Sequence, residues 1–175
     1  MIGDKPKHRI AELNQAAVEK FVTIVGPAFE HSPWIAEAAA VRRPFSSLQH
    51  LHSALCETVG HSAIDRQLTL IRAHPDLVGK AALAGTLTQE STAEQASAGL
   101  NKLSAEEIAT FQKLNEAYNH RFGFPFVICA RENKKEAILN GLRLRIANSR
   151  ADEIKTALEE IAKIAYLRLQ DIVQL

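Results

Sequence analysis

Apolar residues recur at steps of three and four along almost the whole chain, and only one short run has the composition of a strand. That periodicity places side chains on one face of successive helices and leaves little for a sheet to be built from. From Ser47 to Val59, for example, Leu48, Leu51, Leu55 and Val59 follow the period of a single helix face before Gly60 closes it. Upstream, Asn14 reads as an N-cap for a helix over residues 15–25, with Val18, Phe21, Ile24 and Val25 within helical reach and Gly26-Pro27 ending the run. Ser32-Pro33-Trp34 reads as a second start, with Ser32 as cap and Pro33 as the first helical residue.

A helix over roughly 62–73 uses Ile64, Leu68 and Ile71 and must stop near His74, because Pro75 disfavours the helical conformation of its predecessor. Two Ser-x-x-Glu patterns, Ser91 to Glu94 and Ser104 to Glu107, have the form of capping boxes. The second opens an amphipathic helix carrying Ile108, Phe111, Leu114 and Tyr118 and ending at Gly123. Phe124 to Ala130 is the strand-like run. Its proline and the lack of a partner strand predict a buried extended segment. Two last helices, about 133–147 and 150–173, meet at Asn148-Ser149. The expected fold is all-α, a single domain over residues 1–175 formed as a bundle of about eight helices with one extended apolar segment.

Length and composition limit the function classes. A chain of 175 residues suffices for one core, and 46% apolar with 23% charged residues is ordinary for a globular protein. With 21 Lys plus Arg against 20 Asp plus Glu, the net charge of +1 argues against a bulk electrostatic grip on nucleic acid or an anionic membrane. No run approaches the roughly 20 apolar residues that a bilayer span needs, and neither a secretory signal nor a Ser-Lys-Leu address is legible. Two cysteines, Cys56 and Cys129, suit a reducing compartment, so the expected location is cytoplasmic.

Few residues stand out for chemistry. In the last helix Ile154, Leu158, Ile161, Ala165 and Ile172 form an apolar stripe interrupted by Arg168. A guanidinium there must be paired, snorkel outward or line a polar cavity, so it reads either as a structural ion pair or as an anion site. His74-Pro75-Asp76-Leu77 fixes an imidazole at a helix exit, where it can serve as an acid/base group or simply stabilise the helix dipole. Ser91 and Glu94 have a sufficient role as a capping box. His50 and His52, two apart on a helix, point to different sides, and no metal-ligand spacing occurs elsewhere, so no metal is expected. Gly-rich phosphate loops and nucleophile elbows are also missing.

Several segments taken together resemble the 2-oxo-4-hydroxy-4-carboxy-5-ureidoimidazoline (OHCU) decarboxylase family. They are Leu13-Asn14 with Phe21, Phe29-Glu30-His31-Ser32-Pro33-Trp34, Ala73-His74-Pro75-Asp76-Leu77 with Gly79-Lys80, and Ser91-x-x-Glu94-Gln95. Leu114-Asn115-x-x-Tyr118, Arg121 through Ile128 and Ile164 through Leu169 continue the likeness in order. The resemblance implies a homodimeric, cofactor-independent enzyme that converts OHCU to (S)-allantoin and carbon dioxide in urate degradation. It implies that His74 is catalytic with Glu94 beside it, that Pro75, Ser91 and Gln95 belong to the substrate site, and that Phe126, Val127, Ile128, Cys129 and Ala130 line it. An arginine on the final helix completes the set, with Arg168 the choice because the stripe independently picks it out and Arg145 the reserve. The competing expectations are a non-catalytic helical ligand-binding module of the same architecture and a metal-dependent hydrolase.

Overall fold

The structure, a computed structural model, describes residues 7–174. Among them are ten α-helices and two 3-10 turns, with no strand; His8 and Val173 share an isolated bridge. The helices are α1 (Ile10–Gln15), α2 (Val18–Val25), α3 (Trp34–Ala40), α4 (Leu48–Gly60), α5 (Ile64–Ala73), α6 (Lys80–Ala84), α7 (Gln89–Ser97), α8 (Ala105–Phe122), α9 (Lys135–Arg145) and α10 (Arg150–Ile172). The two beyond the expected eight are the short α1 and α6, each too brief to show a full apolar period in sequence.

Contacts divide the chain into two compact units, one running to Leu70 and resuming at Ala162, the other spanning Ile71–Ile161. In the first unit α3 packs on α2 and α4, and Phe21, Val25, Ile35, Leu51, Leu55 and Leu169 are buried. In the second unit α8 packs on α9. Around Tyr118 gather Phe122, Phe124 and Phe126, with centroids 4.6, 6.2 and 5.4 Å away. The last two rings meet Tyr118 edge-on, the arrangement that aromatic quadrupoles favour. Phe124 through Ala130 is buried except for half-buried Ile128; residues 125–129 lie outside any helix or strand, as the composition predicts, and Ala130 opens the 3-10 turn Ala130–Glu132.

Four local expectations are corrected. Asn14 does not cap a helix over 15–25; it lies in α1, and its side-chain amide both donates to and accepts from the Phe45 backbone at 2.8 Å. The Ser32 hydroxyl donates to the Glu30 carbonyl at 2.9 Å instead of capping α3. Thr88, not Ser91, caps α7, accepting from the Ser91 amide at 3.2 Å. Ser91 therefore sits inside the helix, with its side chain buried. On α10 the buried stripe is shifted by a residue at its start: Glu153, Ala157, Ile161, Ile164, Ala165, Arg168 and Leu169 are buried, as is Val173 just past its end, whereas Ile154, Leu158 and Ile172 are half-exposed. Tertiary packing selected the neighbouring face, and that face contains two charges. The Ser104–Glu107 capping box and Gly123 at the end of α8 match expectation, and the structure adds Ser47 as the cap of α4.

Candidate active site

The candidate site in the second unit starts from the chain reversal after α5. Pro75 stops the helix, and the His74 amide makes a last bond to the Ile71 carbonyl at 3.2 Å. Residues 76–79 then turn tightly, with the Gly79 amide on the Asp76 carbonyl at 3.2 Å. A Cβ at Gly79 would lie 2.7 Å from Asp76 Cβ, so no larger residue fits without moving the turn. Val78 has φ +55°, an uncommon left-handed conformation for a β-branched residue that costs on the order of 1–3 kcal/mol.

Three side chains hold this loop in place. Asn119 Nδ2 donates to Asp76 Oδ1 at 2.9 Å, and Asn115 Nδ2, one helical turn earlier on α8, donates to the Leu77 carbonyl at 2.7 Å. From α7, Gln95 Oε1 accepts the Val78 amide at 3.1 Å. This last bond fixes which way the Gln95 amide faces, because its oxygen must meet the N–H. Its Nε2 is thereby buried with no hydrogen-bond partner among the described residues, and Asn115 Oδ1 is in the same condition. Buried amide groups are rarely left unsatisfied, so such atoms mark a place where a polar ligand or water fits. His74 itself is 7% exposed, with Nε2 shielded from solvent.

α7 links this loop to the extended segment. Ser91 and Gln95, four apart, share one helix face and are both buried, with Glu94 half-buried beside them. The same helix packs on the 3-10 turn Ala130–Glu132 at the end of the segment. The Cys129 thiol is pushed up to about 11, first by burial and then by the charge of Glu132, with Glu160 and Glu94 adding smaller repulsions. The structure brings together the His74–Gly79 turn, the Ser91–Gln95 face and the segment through Ala130.

Arg168 belongs to the first unit. Its Nη1 donates to Glu30 Oε2 at 2.8 Å and to the Pro27 carbonyl at 3.2 Å, with the two side chains 5% and 2% exposed. Sequence reasoning placed Arg168 on a buried face but did not find Glu30 as its partner, since 138 residues separate them. The reserve, Arg145, belongs to the second unit and has a different environment. It makes two hydrogen bonds to Glu153 Oε2, from Nε at 3.0 Å and Nη2 at 2.9 Å, while Nη1 donates to the Val127 carbonyl at 2.8 Å. Sequence reasoning also missed Glu153, Asn115 as a loop anchor and Asn119. The available signals were polar residues on otherwise apolar helix faces: Glu153 four before Ala157, and Asn115 between Phe111 and Tyr118.

Among the described residues no three His, Cys, Asp or Glu side chains are grouped so as to hold a metal ion, and no helix is long and apolar enough to cross a membrane. An imidazole, a carboxylate, amide donors and a buried stretch of backbone are the chemical groups present.

Comparison with known proteins gives the family. The OHCU decarboxylase family model matches residues 14–170. The chain is 43% identical over 162 residues to a 2-oxo-4-hydroxy-4-carboxy-5-ureidoimidazoline decarboxylase of Haloferax volcanii, covering 93% of this chain and 94% of the relative. A protein of the same name from Amia calva is 43% identical over 163 residues, covering 93% of each. The fold is similar to a crystal structure of (S)-allantoin synthase, with a TM-score of 0.75 and 27% identity over 95% of this chain; the match spans about half, 54%, of that chain. With the family match extending from α1 through nearly all of α10, this chain belongs to the OHCU decarboxylase family.

Proposed function

We propose that this chain is a carboxy-lyase that converts OHCU to (S)-allantoin and carbon dioxide in urate degradation, as a single domain over residues 1–175 and without a cofactor. The observation that carries the reading is the match to the OHCU decarboxylase family over residues 14–170, which includes every residue of the pinned His74 turn and of the Ser91–Gln95 face. The substrate holds its carboxylate on a carbon next to a ring C=N bond. When the carbon–carboxylate bond breaks, its electron pair passes into that imine, so the substrate supplies the electron sink that a cofactor would otherwise provide. The protein has to orient the substrate, stabilise moving charge and deliver one proton to one face of the neighbouring carbon.

In this reading His74 is the acid/base and Glu94 orients it or polarises the substrate hydroxyl. Gln95 Nε2 and Ser91 bind substrate oxygens, and Pro75 and the backbone of Phe126 through Ala130 line the site. The fixed Gln95 amide supports this assignment, because its buried N–H groups lack an acceptor among the described residues. Arg168 takes the family role of binding an anionic or carbonyl oxygen. The working form is a homodimer in the cytoplasm.

The test is to generate OHCU freshly from urate with upstream enzymes, add metal-stripped protein and follow carbon dioxide release together with the circular dichroism of the allantoin formed. Faster release with one-handed product is expected. Unchanged release with racemic product, or activity that appears only with one added metal, overturns the reading.

A further inference from the structure

The extended segment has no partner strand among the described residues, so its backbone must be held by other means. Two carboxylates of α10, buried Glu153 and half-buried Glu160, provide them. Glu160 accepts the Cys129 amide at 2.8 Å. Glu153, 0% exposed, anchors Arg145, whose remaining arm reaches the Val127 carbonyl at 2.8 Å. The guanidinium carbon also lies 4.4 Å from the centroid of the Phe126 ring. The Tyr118 hydroxyl donates to Glu153 Oε2, and Asn148 Nδ2 donates to Oε1 at 2.9 Å, so both carboxylate oxygens are occupied. Every contact of the Arg145 guanidinium described above is either to Glu153 or to the segment.

We infer that Arg145, locked by Glu153, Tyr118 and Asn148, is a positioning residue that sets the Phe126–Ala130 backbone against the substrate and so governs substrate affinity and the face that is protonated. The inference rests on the proposed function, in which this segment lines the site. A planar guanidinium suits the task, since its fixed fork meets the carboxylate with two bonds and still presents a third N–H to the carbonyl. Glu153 sits in the first turn of α10, where the helix dipole favours a negative charge. The anchor is thus tied to the longest helix while its arm holds an irregular strip of chain.

The test uses the full chain and the double variant Arg145→Met/Glu153→Gln, which removes both charges and leaves neither buried alone. Ile138→Val or Ile138→Ala, whichever matches its loss of thermal stability, serves as control, because Ile138 is buried in the same unit without touching this network's hydrogen bonds. Cys129 is a reporter on the segment and half-buried Cys56 an internal reference. Maleimide labelling of each peptide, read by mass spectrometry, should rise about tenfold or more at Cys129 in the double variant and stay level at Cys56. The matched control should show neither change. KM for OHCU should rise about tenfold and the enantiomeric excess of allantoin should fall, with both retained in the control. Labelling equal to the control overturns the holding role, and labelling that rises while KM and product hand stay unchanged overturns the positioning role. A wild-type protein without OHCU turnover defeats the proposed function instead, and Cys129 labelling then decides the holding role alone.

Discussion

Arg168→Ala separates an arginine that binds substrate from one that only completes a buried ion pair. The substitution leaves the Glu30 carboxylate, its side chain 2% exposed, without the guanidinium 2.8 Å away. Removing one partner of such a pair costs about 3–5 kcal/mol, a large share of the roughly 5–15 kcal/mol that holds a domain folded. For a chain of this size that corresponds to a fall of roughly 10 °C in Tm. Activity loss in the single variant is therefore ambiguous, and a second variant is needed. Arg168→Met/Glu30→Gln removes both charges at similar volume, a change that is often neutral for stability. Most of the lost stability should return in urea denaturation followed by far-ultraviolet circular dichroism. If Arg168 also holds a substrate oxygen, kcat/KM should remain about 10- to 150-fold low, the loss of a hydrogen bond of about 1.5–3 kcal/mol to a charged group. A double variant that is stable and fully active refutes the substrate role. An Arg168→Ala protein as stable as wild type refutes the argument from the buried pair.

His74→Asn keeps hydrogen-bonding capacity but cannot exchange a proton near neutral pH, so turnover should drop about 100- to 10,000-fold with the fold retained and the product losing its hand; a stereoselective, fully active variant removes His74 from the mechanism. Gly79→Ala puts a Cβ 2.7 Å from Asp76 Cβ and should cost about 1–3 kcal/mol in urea denaturation while disturbing the His74 turn; unchanged stability and activity would show that the turn yields freely. The Cys129 thiol, pushed up to about 11 by burial from its ordinary 9.0, favours the folded state fully below pH 9, and that contribution is lost as pH rises toward 11, because the unfolded chain ionises first. Stability measured across this window should fall less steeply in Cys129→Ala, and identical slopes would contradict the assignment.

The helical class, the larger helices, the His74 exit and the extended run at Phe124–Ala130 were legible because each depends on neighbours in sequence. Period, Pro75 and Gly123 act within a turn of themselves. The resemblance of ordered motifs pointed to the same residues that the family match later covered. Thr88 could have been read locally as the α7 cap, but the Ser91–Glu94 pattern fitted a capping box equally well, and only the observed helix start decides between two caps three residues apart.

What tertiary structure decided concerns polar groups. Sequence can show that Arg168 falls on an apolar stripe, but whether a buried cation is tolerable depends on a partner, and Glu30 lies 138 residues earlier. Likewise the choice of Glu153 over Ile154 for the buried face of α10 follows from Arg145, Tyr118 and Asn148 meeting it from two other helices and a loop. Asn115 and Asn119 gain meaning only from the Leu77 carbonyl and the Asp76 carboxylate 38 and 43 residues away. Hydrophobic periodicity is a local property that any window of sequence displays. The cost of burying a charge or an amide is settled only by the partner that folding brings to it, and no local pattern encodes that partner.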